Sequence, residues 1–150
     1  MYSHILSILE KPLEKLTYIK DLGVTFDCVL SFSQHIRSVC NASLKLWGFI
    51  KRSCKHFKNP APIRILYYSL VRSKVEYASL VWVPFYKSDI TRLECVQRKY
   101  LKYMYYSLNN VYLPKGYESS LLLENVQERS LQSRCALLGI IFIRDNIVHS

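Results

Sequence analysis

The chain has 150 residues, half of them hydrophobic, and 21 lysines and arginines stand against 11 aspartates and glutamates, giving a net charge of +10. A chain of this size forms about one domain, and this hydrophobic content excludes global disorder. The five cysteines form no C-x-x-C pair and are odd in number, which argues against a zinc ribbon and against a secreted disulfide framework.

No stretch of the sequence predicts a membrane span. The longest apolar run, Ala136 to Ile143, falls far short of the roughly 20 residues that cross a bilayer as a helix. The N-terminal segment MYSHILSILEKP has no basic leader, and polar residues interrupt its apolar stretch, so it does not have the pattern of a signal peptide. We therefore expect no membrane partner.

The first predicted element is a short β-hairpin within residues 16–26. Runs rich in β-branched and aromatic residues lie on either side of Asp21-Leu22-Gly23, and a glycine break between two such runs is typical of a hairpin.

A first helix is predicted from Ser31 or Ser33, both suitable N-caps, to about Cys54. Its apolar sector contains Phe32, Ile36, Val39, Cys40, Ser43, Trp47 and Ile50. The opposite sector contains Arg37, Lys45, Arg52 and Lys55. This pattern predicts an amphipathic helix with a basic outer face.

A second helix is predicted from Pro60 and Pro62, because prolines suit the first turn of a helix. Its apolar positions continue toward Trp82, and Pro84 ends it. Its polar positions include three basic residues, Arg64, Arg72 and Lys74.

A third helix is predicted from Ser88 or Asp89. One face contains Ile90, Leu93, Gln97, Tyr100, Leu101 and Met104. The other contains Arg92, Arg98, Lys99 and Lys102. Residues Asn109 to Gly116 have the composition of a loop, and a last helix is predicted from about Ser119 to Arg144. The predicted fold is mainly α, a helical bundle with a short N-terminal β-hairpin.

The positive charge is concentrated in the middle of the chain. Residues 37–102 contain fourteen lysines and arginines against three carboxylates, whereas residues 1–36 have a net charge of −1 and residues 103–150 are neutral. Such a concentration costs self-repulsion, which a polyanion readily offsets. Nucleic acid is the natural candidate, and a merely solvated basic surface is the plain alternative.

Four groups of short motifs follow one another within residues 17–140. They are Leu22-Gly23-Val24; Leu30-Ser31-Phe32 with His35-Ile36; Tyr68-Ser69-Leu70-Val71 with Glu76-Tyr77-Ala78, Trp82 and Pro84; and Leu93-Glu94 with Val96-Gln97-Arg98. In order and spacing they resemble the end of the palm and the thumb of a non-LTR retrotransposon reverse transcriptase, in particular of Jockey-like insect elements.

The resemblance implies three regions: a palm-edge remnant with the hairpin in residues 1–30, a thumb-like helical domain in residues 31–106, and a loop with a C-terminal helix packed on the thumb in residues 107–150. A two-metal polymerase needs paired aspartates to hold magnesium. None of the four aspartates here is adjacent to another. The resemblance therefore implies a truncated fragment that binds without catalysis, with no cofactor of its own, Mg²⁺ belonging to the intact parent polymerase.

The expected partner is an RNA–DNA hybrid or duplex nucleic acid, and an intact polymerase palm is a second one. The predicted nucleic-acid contacts are Arg37, Lys45, Arg52, Lys55, Arg64, Arg72, Lys74, Arg92, Arg98, Lys99 and Lys102. The alternative is an inert or self-associating transposon relic that acts, if at all, through protein–protein contacts.

Other notable residues have simpler interpretations. His35 is a lone histidine without a paired carboxylate or nucleophile, so we assign it no catalysis. Cys54 and His56 are too few for a zinc site. Glu76 is expected to pair with Arg72 or to anchor another helix. Core packing is expected for Trp47, Trp82, Tyr100 and Met104, which leaves Tyr103 and Tyr106 as candidate base contacts.

Overall fold

The computed structural model describes residues 7–8, 11–12, 16–57, 59–114 and 117–148. The strands are β1 (Ser7–Ile8), β2 (Lys11–Pro12), β3 (Tyr18–Asp21) and β4 (Val24–Asp27). The helices are α1 (Ser33–Ser53), α2 (Ala61–Leu66), α3 (Ser73–Glu76), α4 (Lys87–Asn109), α5 (Ser119–Val126) and α6 (Leu131–Val148), and a π-helical turn (Tyr67–Arg72) joins α2 to α3. The prediction of a mainly helical fold with a short hairpin is confirmed.

The predicted hairpin is the antiparallel pair of β3 and β4. Its turn consists of Leu22 and Gly23, with φ of 44° and 82°. Positive φ at both positions is the requirement of a type I′ turn, whose twist matches that of the strands. The Tyr77 hydroxyl donates a hydrogen bond of 2.9 Å to the Leu22 carbonyl. This bond ties the turn to the helical part of the molecule.

The start of α1 differs from the serine cap that the sequence predicts. Phe32 occupies the N-cap position with φ of 56°, and no side chain caps the helix. Asp27 organises the preceding loop instead, because its carboxylate accepts hydrogen bonds from the backbone N–H groups of Val29, Ser31 and Phe32. Hydrogen bonds from the Ser31 backbone and hydroxyl lower the pKa of Asp27.

Helices α1 and α4 pack side by side and run in the same direction. At their N-termini the Ser33 hydroxyl donates a hydrogen bond of 2.6 Å to Asp89. Further along, the Trp47 ring meets Tyr100 and Tyr103 edge-on, with centroids 5.7 and 5.4 Å apart. The inward side of the α1–α4 helix pair packs on the π-helical turn, where the rings of Tyr67 and Tyr100 stack with centroids 3.6 Å apart.

The second helical segment ends earlier than predicted. Helix α3 stops at Glu76, Tyr77 is extended, and Ala78 has φ of 51°. Turns then lead to Trp82, which is fully buried and donates its indole N–H to the Tyr77 carbonyl at 2.8 Å. The prediction that this helix continues to Pro84 is wrong.

The predicted last helix is two helices. Gln127 has φ of 56° and closes the end of α5, and α6 begins at Leu131. Gln97 of α4 fixes this break, because its side-chain amide donates to the Arg129 carbonyl at 2.7 Å and its side-chain oxygen accepts from the Leu131 N–H at 2.9 Å. One hydrophobic core extends from Val24 in β4 to Leu131 in α6.

Candidate nucleic-acid interface

The outward side of α1 carries a stripe of cations beside α4. Arg37 and Lys51 are fourteen residues apart, so they lie on one side of the helix. The Lys51 ammonium lies 5.6 Å from the centre of the Tyr103 ring, which places this stripe at the border with α4. Lys45 and Arg52 are seven residues apart and both exposed. The helical period places them on a common side of α1, further from α4 than Arg37 and Lys51.

The outward side of α4 carries the matching stripe. Arg92 and Lys99, seven residues apart, flank the line of Val96 and Tyr103 that faces α1. Lys102 follows one turn after Arg98 and is exposed. We name the combined surface the basic face. It consists of Arg37, Lys45, Lys51, Arg52, Arg92, Lys99 and Lys102.

Neither helix contributes a carboxylate to the basic face. Helix α1 contains no aspartate or glutamate. Of the two acidic residues in α4, Asp89 is buried against Ser33, and Glu94 lines a groove on the side of α6. The basic face therefore combines seven cations with no carboxylate from its own two helices.

Seven of the eleven predicted contact residues lie on or beside the basic face, namely Arg37, Lys45, Arg52, Lys55, Arg92, Lys99 and Lys102. Among these, Lys55 lies in the turn that follows α1. Arg98 is exposed one turn after Glu94, at the edge of α4 away from α1. Lys51 was not among the predicted contacts, because its position borders the apolar sector of α1.

The other three predicted contacts, Arg64, Arg72 and Lys74, belong to the layer beneath. Lys74 is exposed on α3. Arg72 is only 4% exposed, so the prediction that it contacts nucleic acid is corrected. Its guanidinium bonds to Glu76 at 2.8 Å and to Glu128 at 3.2 Å. Arg64 is half-exposed, and its guanidinium lies 3.4 Å from Glu128.

These ion pairs form a cluster that joins α2, the π-helical turn, α3, the turn after α5, and α6, and we call it the interior ion-pair cluster. Glu76 also binds Arg134 of α6 at 2.6 and 3.2 Å. Tyr68 donates its hydroxyl to Glu128. Burial by itself would raise the pKa of Glu76, but hydrogen bonds from Arg134 and Arg72 outweigh it and lower that pKa. The expectation that Glu76 pairs with Arg72 or anchors another helix is confirmed in both respects.

His35 occupies a packing position. It is buried, its Nδ1 accepts a hydrogen bond of 3.3 Å from the Thr25 N–H, and its ring meets Trp82 edge-on. Burial, with a smaller contribution from the charge of Lys20, lowers the pKa of His35. The imidazole of His35 therefore joins the hairpin to α1. The predicted core positions Trp47, Trp82, Tyr100 and Met104 are all buried.

An apolar groove lies on the other side of α4. Its volume is about 500 Å³, and its walls include Leu80, Trp82, Leu93, Gly139 and Phe142. Ile143 of α6 also lines the groove, and α6 leaves Ile140 and Ile147 exposed.

Within the described residues, no three metal-ligating side chains cluster, and none of the described helices is both long and apolar enough to span a bilayer. Comparison with protein-family models, with curated proteins and with solved structures gives no match to this chain.

Proposed function

We propose that the chain is a thumb-like fragment of a non-LTR retrotransposon reverse transcriptase, and that its basic face holds the template–primer duplex. The supporting observation is the alignment of seven cations on two parallel helices that contribute no carboxylate to that face. The ordered motifs from Leu22 to Arg98 support the assignment to this family within the proposal.

Phosphate recognition fits this surface better than base recognition. Lysine and arginine neutralise phosphates whatever the base sequence, and such contacts fix the position of a duplex without reading it. Both tryptophans of the chain, Trp47 and Trp82, are buried in the core, where they cannot stack on a base. The proposed substrate is therefore an RNA–DNA hybrid or another duplex, bound through its backbone.

The proposed role is binding without chemistry. The sequence contains no adjacent aspartates that could hold two magnesium ions, so the catalytic centre and its Mg²⁺ would belong to an intact polymerase palm that this chain contacts. A primer-extension assay with the purified chain and magnesium should give no product, and synthesis by the pure protein would contradict this part of the proposal.

The binding test is a fluorescence titration against a hybrid duplex at a series of salt concentrations. We expect log affinity to fall linearly with log salt, with a slope of roughly 0.7–0.9 for each phosphate neutralised. The double variant Arg92→Ala/Lys99→Ala should lower this slope by about 1.5. Lys74→Ala, an exposed lysine in the layer beneath, is the matched control. Absence of binding at low salt, or equal effects of both variants, would exclude the basic face as the duplex site.

A second candidate function is self-association, and the apolar groove beside α6 favours it. A second copy of the chain could cover this surface with its own α6, because a two-fold interface pairs the same patch on both subunits. Light scattering at high salt, where charge repulsion is screened, tests this candidate. A dimer that Ile143→Glu disrupts would support it, whereas a monomer at all concentrations would exclude it.

A further inference from the structure

The C-terminal end of the basic face carries an exposed aromatic pair. The rings of Tyr106 and Tyr112 stack with centroids 4.2 Å apart and planes inclined by 25°. Tyr106 is half-buried, whereas 78% of the Tyr112 surface is exposed. One ring of the pair therefore faces solvent.

The local backbone creates this pair. Asn110 takes φ of 54° and its N–H bonds to the Tyr106 carbonyl at 2.8 Å, which ends α4. A residue with positive φ reverses the chain direction at a helix end. The reversal brings Tyr112 back along the last turn of α4 and onto the Tyr106 ring. The second ring is thus held in place by the first.

The pair continues the line of cations. Tyr106 follows Lys102 by four residues and Lys99 by seven, so all three lie on one side of α4. Tyr103, one turn earlier, contacts the Lys51 ammonium. A nucleic-acid strand bound along the cations would therefore meet the exposed ring at the end of the helix pair.

We propose that the Tyr106–Tyr112 pair is a stacking platform for an unpaired nucleobase, at a single-stranded extension of the duplex that the basic face binds. This inference rests on the proposed function, in which the basic face binds the duplex. Stacking suits such a site, because every base has a π-face and a tyrosine platform accepts any of them. The preferred substrate is then a duplex with an overhang instead of a blunt one.

The experiment compares a blunt hybrid with the same hybrid carrying a short extension of DNA, of RNA, or of abasic nucleotides that retain the phosphates. The wild-type protein should bind the DNA or RNA extension roughly fivefold to a hundredfold more tightly than the blunt or abasic form. Tyr112→Ala should abolish this preference and leave affinity for the blunt duplex unchanged. Tyr112→Phe should retain the preference.

Phe85→Ala is the matched control, because Phe85 is 86% exposed and also touches a second ring, Tyr86, at the opposite end of α4. This variant should retain the preference. Equal binding of blunt and extended duplexes would overturn the platform and leave the proposed function intact. A preference that survives Tyr112→Ala, or that abasic extensions share, would also overturn it. Failure to bind either duplex would overturn both proposals.

Discussion

Two groups of cations in this molecule differ in what surrounds them. On the basic face, six of the seven cations are exposed and Arg92 is half-buried, and neither α1 nor α4 supplies a carboxylate there. In the interior ion-pair cluster, Arg72 and Arg134 bind Glu76, and Arg64 and Arg72 bind Glu128. The cations of the first group repel one another in the free protein, whereas each arginine of the second group is paired with at least one glutamate.

The comparison shows that net charge alone does not identify a binding surface. A buried cation without a partner is strongly destabilising, so Arg72 requires its glutamates for folding. An exposed cation costs the fold little. It contributes to binding free energy when it neutralises a phosphate of nucleic acid and counterions are released. Substitutions in the interior ion-pair cluster should therefore lower stability, whereas substitutions on the basic face should lower affinity for a duplex.

The largest effect is expected from Glu128→Ala, which removes one of the two carboxylates that neutralise Arg72. Because Arg72 is 4% exposed, the free energy of unfolding in urea should fall by about 3–5 kcal/mol. The additional change Arg72→Met should recover much of this loss, since an apolar side chain can replace a buried ion pair. A loss below about 1 kcal/mol would show that Glu76 or water compensates the charge of Arg72 without Glu128.

The next effect concerns the basic face. Arg92→Ala/Lys99→Ala should weaken binding to a hybrid duplex roughly ten- to fortyfold at about 0.1 M salt, because two phosphate contacts are lost. Its free energy of unfolding should stay within about 0.5 kcal/mol of the wild-type value per substitution. Denaturation in urea measures the second quantity. A large loss of stability with unchanged affinity would show that Arg92 and Lys99 contribute to folding and not to duplex binding.

Helical periodicity accounts for what the sequence predicted correctly. Straight helices place residues seven apart on one side, so the buried faces of α1 and α4 and their basic outer sides follow from the spacing alone. The hairpin followed from its glycine break. The pairing of α1 with α4, which brings the two basic sides together, needed the contacts of Trp47 and Lys51 with Tyr103.

Arg72 was wrongly assigned to the nucleic-acid contacts because the helical period changes in the segment that contains it. In the turn Tyr67–Arg72 the backbone is π-helical, and the Ser73 N–H bonds to the Tyr68 carbonyl five residues earlier. The wider turn rotates the following residues relative to a 3.6-residue period, so Val71 and Arg72 are both buried. Its partner Glu128 is 56 residues away, beyond the reach of any local pattern.

Positive φ at residues other than glycine explains the wrong helix ends. Ala78 and Gln127 adopt φ of 51° and 56°, a conformation that is uncommon for such residues. Long-range contacts hold the chain there: Trp82 bonds to the Tyr77 carbonyl, and Gln97 bonds to both sides of the break before α6. The sequence around each position carries no turn signal of its own.

Acid should weaken the interior ion-pair cluster before it affects the basic face. The pKa of Glu76 lies below its usual value of 4.5 in the folded protein, so the unfolded chain binds the proton more readily. The resulting stabilisation is complete above the unfolded-state pKa and is lost as pH falls through the folded-state value.

Urea unfolding between pH 6 and pH 3 measures this effect. Glu76→Gln should be less stable than the wild type at pH 6 and should show a shallower decline below about pH 4.5. A parallel decline in both proteins would assign the acid sensitivity to other carboxylates, such as Asp27.

The smallest effect is expected at the border between the two regions, at Lys51. Its ammonium lies over the Tyr103 ring, a contact worth about 0.5–1 kcal/mol at an exposed site, and it also lies on the basic face. Lys51→Met keeps an apolar stem over the ring but removes the charge. The free energy of unfolding should fall by no more than about 1 kcal/mol, and the salt slope of duplex binding by about 0.8 if Lys51 also meets a phosphate.

Lys45→Met is the control, because Lys45 is exposed further outward on the same helix. It should lower the salt slope without changing stability. If Lys51→Met changes stability and leaves the slope unaltered, the ring holds Lys51 away from the duplex, and the basic face begins one stripe further out, at Lys45 and Arg52. If both variants lower the slope equally, the face extends to the seam between α1 and α4, and the Tyr103 ring positions a cation that remains free to bind phosphate.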